Sequence, residues 1–350
     1  MALGEEDIAS EQIIVPRGDL IRTEIYDIRR SPSGVSCAVK KDAGDDPDIT
    51  NGIFVHARVE LNASGMLQID GGTGVGRVTK PGLSQKIGEA AINIVPRKMI
   101  EKEVREVLDR AGRTYGARVI IFIPEGEALA KKTFNPRLGI AGGISVLGTT
   151  GIVEPMSEQA LLKSIETELS VLRASGAKKL LMMPGNYGER FLKETLHIST
   201  ESAVKCSNFI GDTIDLAMEA GFQGILLVGH VGKLVKLAAG IMNTHSHQAD
   251  GRMEVFTAHA ALAGAPVEVL LQVMDCISTD EAIRILKDAG YFQKTMEGIV
   301  NKIEFYLKQR CLSEVPIGAV VYSMEHGILG MTGQAQELLR EMGGLYCLDH

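Results

Sequence analysis

Two stretches fix the architecture of the second half of this chain. KKLLMMPG (178–185) and GILLVGH (224–230) are short apolar runs without polar alternation. Each closes on a glycine turn, MMPGNYG and LLVGHVGK, that leads into a helical segment. A strand that is apolar on both faces needs cover on both, which is the condition of a parallel sheet crossed by helices. The same rhythm continues on either side. A helix is expected over 157–174 with Ser157 as N-cap, then strand 178–185, helix 187–195, short strand SAVKC (202–206), a helix over NFIGDTIDLAMEAG, strand 224–230 and a helix over KLVKLAAGIM. Two or three further helices lead to strand IGAVVYS (317–323) and a last helix near 333–342. Residues 151–350 thus read as an α/β domain with four parallel strands.

The first half has a different texture. IIV, LIRTEIYDI, GVSCAVKK and IFVHARVEL mix β-branched residues with period-two alternation, and MLQID (66–70) is entered through the turn NASG. A helix follows at about 97–111 behind Pro96, and RVIIFIPEG (118–126) is a buried strand ending in a turn. Residues 1–150 read as an α+β domain, with the boundary near GISVLGTTGIVEP (143–155). A length of 350 residues suits two domains.

Bulk properties exclude several function classes. The net charge of -7, the absence of Trp and an aromatic content of 5% speak against nucleic-acid binding. Five cysteines, with no CxxC pair, fit free thiols in a reducing cytoplasm. MALGEEDIASEQ lacks the apolar run of a signal peptide, and the apolar stretch 224–242 is interrupted by His230, Lys233 and Lys236, so no membrane span is expected. The sequence is compatible with a homo-oligomer.

DGGTGVGRVTKPGL (70–83) carries the densest glycine run. A phosphate loop needs a helix straight after its glycines, and RVTKPG opens none; GK[ST] is absent as well. The loop reads either as a turn between strands or as a place where backbone approaches a large ligand, with Thr73, Gly74, Gly76 and Thr79 at its surface. Residues 71–140 hold 13 Lys and Arg against 7 Asp and Glu, which points to an anionic ligand. Arg77, Lys80, Lys86, Arg97, Lys98, Lys131, Lys132 and Arg137 are the candidates to bind it. KKDAGDDPDITNG (40–52) gathers Asp42, Asp45, Asp46 and Asp48. It reads as an Asx-type turn, as a substrate or proton-transfer site whose crowding raises a carboxyl pKa, or less well as a hard-metal site. NTHSHQADGRMEVF offers His245, His247, Asp250 and Glu254, either as zinc ligands or with Asp250 as a helix cap. Gly185, Asn186, Gly229, His230 and Gly232 fall at the carboxyl ends of two parallel strands, where open α/β sheets bind ligands; a buried structural role for His230 stands beside that.

Taken together, DAGDDPDITNG, GTGVGRVTKPGL, INIVPRKMI, TFNPRLGIAGGISVLGTTGIVEPMS, PGNYG, KCSNFIGDTIDLA and GHVGKLVKLAAGIMNTHS resemble the CbiD family of cobalt-precorrin-5B C1-methyltransferases, densely from about residue 34 to 265. The resemblance implies an N-terminal domain like a circularly permuted ribosomal S5 domain 2, then an α/β domain with a four-stranded parallel sheet. It implies methyl transfer from S-adenosylmethionine to C-1 of cobalt-precorrin-5B, with cobalt carried inside the substrate and no protein metal site required. Family members open on a Thr/Gly-rich, GYTTGTCAAAA-like segment leading into a helix, so a chain starting at MALGEEDIASEQ is expected to lack that element. The family has a basic residue at the place of His247, which weighs against zinc there. On this map the donor sits at Gly185, Asn186, Gly229, His230 and Gly232. The tetrapyrrole lies between the domains against Asp45, Asp46, Asp48, Thr73, Gly74, Gly76, Arg77, Lys80, Asn135, Arg137 and Thr149. Asp46, Asp48 or His230 is expected to move a proton. A small-molecule kinase with an S5-like ATP site and a non-catalytic tetrapyrrole carrier are the alternatives.

Overall fold

In the computed structural model the described residues are 1–344, apart from 5, 45–47, 113–114, 149–150, 153–157, 186 and 201–202. The chain divides into two compact units, Met1–Ala160 and Leu161–His350.

The first unit begins with an antiparallel hairpin of β1 (Ser10–Ile14) and β2 (Leu20–Glu24). Strands β3 (Tyr26–Ser31), β4 (Gly34–Lys40), β5 (Phe54–Asn62) and β6 (Leu67–Gly71) follow. Two short strands, β7 (Gly74–Val75) and β8 (Arg77–Val78), precede helix α1 (Ile94–Arg110), strand β9 (Gly116–Phe122), helix α2 (Gly126–Ala130) and short strands β10 (Ile140–Ala141) and β11 (Gly143–Ile144). The main sheet runs β3-β4-β5-β9-β6, antiparallel except for the parallel β6–β9 pair. That pair needs a crossover, and α1 supplies it. Ile100 and Val104 of α1 pack on Val119, Ile121 and Ile123, with Val75, Ile92 and Ile144 closing the core. The helix starts earlier than expected. Pro96 lies inside its first turn, where a missing N–H costs nothing.

The second unit runs α3 (Glu158–Ala174), β12 (Leu180–Met183), α4 (Tyr187–Glu194), β13 (Ala203–Lys205), α5 (Ile210–Glu219), β14 (Ile225–His230) and α6 (Val231–Leu234). A 3-10 turn (Val235–Ala239) then ends at Gly240, whose φ of 77° stops the helix short of the expected KLVKLAAGIM span. Helices α7 (Arg252–Leu262), α8 (Val267–Met274), α9 (Thr279–Asp288) and α10 (Phe292–Arg310) lead to β15 (Ile317–Ser323), β16 (Gly327–Met331) and α11 (Ala335–Glu341).

The sheet order is β13-β12-β14-β15-β16. The first four strands are parallel, but the sheet has five strands, because β16 returns antiparallel along β15. GILGM escapes sequence reading because two glycines interrupt it and none of its residues is fully buried. Alternate residues sort to the two faces. Leu180, Met182, Ile225, Leu227, Ala319 and Val321 meet α3, α5 and α10. Leu181, Met183, Leu226, Val228, Val320 and Tyr322 meet α4 and α11.

Candidate active site

The helix assignment locates the topological switch point of the second unit. From β12 the chain crosses by α4 on one face to β13; it then returns by α5 on the other face to β14, on the opposite side of β12. The strand order therefore reverses between β12 and β14, and their carboxyl ends are the switch point where α/β sheets bind ligands. Gly185 follows β12, Gly229 and His230 end β14, and Gly232 lies in α6 just beyond. Asn186 lies outside the described residues.

These positions differ in character. Gly185 holds a φ of 140° and nothing lies within 4 Å of where a Cβ would be, so it leaves open space. Gly229 is small for packing: a Cβ there would press on Leu234 and Pro184 at 2.8 and 2.9 Å. His230 caps α6, its Nδ1 accepting the Gly232 N–H at 3.1 Å. Its ring meets Tyr322 edge-on at 5.7 Å, and Tyr322 stacks on Phe191 at 3.9 Å. Burial lowers the His230 pKa, partly offset by the Asp280 carboxylate. The ring is thus neutral at pH 7, and an accepting Nδ1 leaves its proton on Nε2. With Nδ1 engaged in the cap, the group His230 presents is the Nε2–H donor.

The glycine loop of the first unit also departs from expectation. Gly74 and Gly76 are buried. A Cβ on Gly74, at φ 74°, would lie 1.7 Å from the Ile123 carbonyl oxygen, and one on Gly76 would strike Ile140 and Gly143. The loop forms β7 against β11 and β8 against β10. Gly74 and Gly76 are packed closely against the chain itself, at the Ile123 carbonyl and at Ile140 and Gly143. As the sequence indicates, no helix follows Gly76.

Arg77 is bound within the fold. It pairs with both carboxylate oxygens of Asp70, at 2.7 and 3.2 Å, and donates to the Gly71 carbonyl at 2.7 Å. Arg97 likewise donates to the carbonyls of Ile92, Ile69 and Ala90. Asn135 is buried, donating to the Gly143 carbonyl and accepting from Ser145. Arg137 is half-buried. Thr73 and Lys80 are exposed, as are Lys86, Lys98, Lys131 and Lys132.

In the acidic loop, Asp45 and Asp46 lie outside the described residues, as does Thr149. Asp42 and Asp48 form Asx turns, accepting from the N–H of Gly44 and of Thr50 at 2.9 and 2.8 Å. Asp48 also accepts from the Thr50 hydroxyl and pairs with Lys41. Burial pushes its pKa up, but these hydrogen bonds and the ammonium outweigh burial and lower it. The expected upward shift is not found: Asp48 is a held, weakly basic carboxylate. In the HxH segment Asp250 is taken by Arg252 at 2.5 Å, and His245 Nδ1 accepts the His247 N–H at 3.1 Å. A cavity of about 490 Å³ lined by Gly333, Gln336, Glu337, Arg340 and Glu341 lies on α11 and includes none of the expected site residues.

Comparison with known proteins decides the family. The chain is 45% identical over 347 residues to the cobalt-precorrin-5B C(1)-methyltransferase of Ruminiclostridium cellulolyticum, covering 98% of this chain and 90% of that one. It belongs to the CbiD family. The family's model matches residues 1–155 of this CbiD chain, and that of the CbiD C-terminal domain matches residues 243–333. Similarly named relatives from Alkaliphilus metalliredigens and Salmonella typhimurium are 42% and 43% identical, over 97% and 98% of this chain and 89% and 90% of theirs. The crystal structure of the cobalamin biosynthesis protein CbiD from Archaeoglobus fulgidus aligns over 71% of this chain and 78% of that one, with 23% identity and a TM-score of 0.35.

Sequence reasoning missed several groups at the carboxyl edge of the CbiD sheet. Lys233 Nζ donates to the Ser207 carbonyl at 3.2 Å, with burial lowering its pKa. Lys236, only 4% exposed, donates to the carbonyls of Thr244 and Ala249 and so ties the 243–250 segment to the 3-10 turn. The signal was present: two lysines inside an apolar run are costly unless each finds acceptors. Asp280 and Ser323 had no such signal, since only the fold joins them.

Proposed function

We propose that this chain methylates C-1 of cobalt-precorrin-5B with S-adenosylmethionine, giving cobalt-precorrin-6A and S-adenosylhomocysteine in cytoplasmic cobalamin biosynthesis. The observation that carries the reading is the near full-length identity of 42–45% to relatives named for that reaction. The cobalt belongs to the substrate.

The domain limits are taken as 1–150 and 151–350, the first for the tetrapyrrole and the second for the donor. The first is read as an S5 domain 2-like fold, supported by its mixed sheet and β6–α1–β9 crossover. The switch point between β12 and β14 supports a donor site at Gly185, Asn186, Gly229, His230 and Gly232. The open space at Gly185 suits close approach of a ligand, and the Nε2–H of His230 is available to donate.

The chemistry asks little of acids or bases. The ring carbon's electron pair forms the new C–C bond as the S–CH3 bond breaks, and the released pair neutralises the sulfonium. Alignment of the two reactants and exclusion of water are the enzyme's contribution. Asp48 and Arg77, both committed to internal ion pairs, act as positioning residues. The substrate's carboxylates are met by the exposed Lys80, Lys86 and Lys98, with Arg137 and Thr73.

The test is single-turnover assay of the full chain with S-adenosylmethionine and cobalt-precorrin-5B, read by mass spectrometry. One methyl gained per turnover is expected, and His230→Ala should raise the donor Kd about tenfold through loss of a hydrogen bond to a charged group. Substrate binding without methyl transfer would identify a carrier, and ATP binding in place of the donor a kinase. Either outcome overturns the proposal.

A further inference from the structure

Where β15 ends, Asp280 from much earlier in the chain meets the adjacent Glu325 and His326. The chain turns from Ser323 through Glu325 and His326 into β16. Ser323 Oγ accepts the backbone N–H groups of Glu325 and His326 at 3.0 and 3.2 Å. With both acceptor positions engaged, its single proton is directed to Asp280 Oδ1 at 2.5 Å. Asp280 sits in the first turn of α9, itself fixed by Ser278, whose hydroxyl accepts the Glu281 N–H at 3.2 Å. The Asp280 carboxylate is therefore held by Ser323 on a helix whose start is capped.

Beside it stands an unsatisfied atom. His326 Nε2 is buried and has no hydrogen-bond partner among the described residues; the side chain is 13% exposed. Buried polar atoms are normally paired, and an unpaired one calls for an explanation such as an ion. Glu325 Oε1 is 4.0 Å from that nitrogen. One ligand atom from each of Asp280, Glu325 and His326 lies within 4.8 Å of the others.

We propose that Asp280, Glu325 and His326 form a binding site for one divalent transition-metal ion, with Zn²⁺ the best fit. One imidazole nitrogen and two carboxylates are a borderline N/O donor set, suited to zinc over calcium or magnesium. Ligand atoms around a tetrahedral ion at ~2.1 Å stand about 3.4 Å apart, so the cluster must contract by about an ångström. Glu325 can supply that movement, being 67% exposed on a turn. The Ser323–Asp280 hydrogen bond is the outer support that ligating carboxylates usually have. Three protein ligands leave a fourth position for solvent or an incoming carboxylate oxygen. The ion is distinct from the substrate's cobalt, and the site does not depend on the methyl-transfer reading.

The test is isothermal titration of the full chain, stripped with a chelator and desalted, with Zn²⁺ at pH 7.5. One zinc per chain is expected, with a rise in Tm on loading. Glu325→Gln and His326→Gln should each weaken binding about tenfold or more and abolish the Tm rise. Glu325 is exposed, so Glu325→Gln should keep the metal-free Tm and separate ligand loss from misfolding. Co²⁺ in place of zinc should give a visible absorption band that is absent in the His326→Gln chain. The His245→Ala/His247→Ala chain should bind as the parent does. No stoichiometric zinc, binding unchanged in Glu325→Gln and His326→Gln, or binding lost with the His245/His247 pair would each overturn the proposal.

Discussion

Asp48 shows how one residue can be chemically prominent and still serve structure. Its carboxylate closes an Asx turn on Thr50 and pairs with Lys41, and these bonds outweigh burial to lower its pKa. A carboxyl with a depressed folded pKa stabilises the fold above its unfolded value of 3.8, and that contribution disappears as pH falls through the folded value. Asp48→Asn should therefore cost about 1–2 kcal/mol at pH 7, and the difference from the parent should shrink toward zero by pH 2. Urea unfolding at both pH values measures it. A variant equally stable at pH 7 but dead in methyl transfer would move Asp48 from positioning to catalysis.

At the scale of elements, the joint of the first unit is the glycine loop. Just past β9 the Ile123 N–H binds the Thr73 carbonyl, which sets Gly74 against the Ile123 carbonyl, and φ at 74° excludes a side chain twice over. Gly74→Ala should lose about 3 kcal/mol or more, since it adds a backbone clash to left-handed strain. Gly142→Ala, at φ 79° with open space around it, should lose only about 1 kcal/mol. Thermal unfolding of the two variants side by side checks this; equal losses would show that the close approach at Gly74 is relieved cheaply. The glycine density of 70–83 was legible in the sequence, but what fills the space was not. A glycine that admits a ligand and one that admits a carbonyl look alike until the facing segment, here Ile123 beyond β9, is in place. The β12, β14 and β15 strands were legible because burial on both faces leaves unbroken apolar runs. β16 was not, since a short edge strand with two glycines carries no such run. At the carboxyl edge, His230 could be placed from sequence because it is the last residue of its strand. Asp280 could not, because a helix far along the chain delivers it.

Charge sets the behaviour of the whole molecule toward its two ligands. The chain carries a net -7, yet residues 71–140 hold an excess of Lys and Arg, and of these Arg77 and Arg97 are consumed internally. The free field toward solvent there is carried by exposed lysines, including Lys80, Lys86 and Lys98. A polyanionic tetrapyrrole approaching exposed ammonium groups is screened by salt over a Debye length of about 8–10 Å. The proposed donor, bearing one carboxylate, one ammonium and one sulfonium, has little to gain or lose. Raising ionic strength from about 50 to 300 mM should thus weaken tetrapyrrole binding about three- to tenfold while donor affinity stays within about twofold. The Lys80→Ala/Lys86→Ala/Lys98→Ala chain should show weaker binding and a flatter salt dependence. Arg77→Ala should instead lower Tm, because it strips Asp70 of its partner. Equilibrium titration of each ligand at several salt concentrations separates the cases. A tetrapyrrole affinity indifferent to salt, or a triple variant with the parent's slope, would place carboxylate recognition on residues other than these lysines.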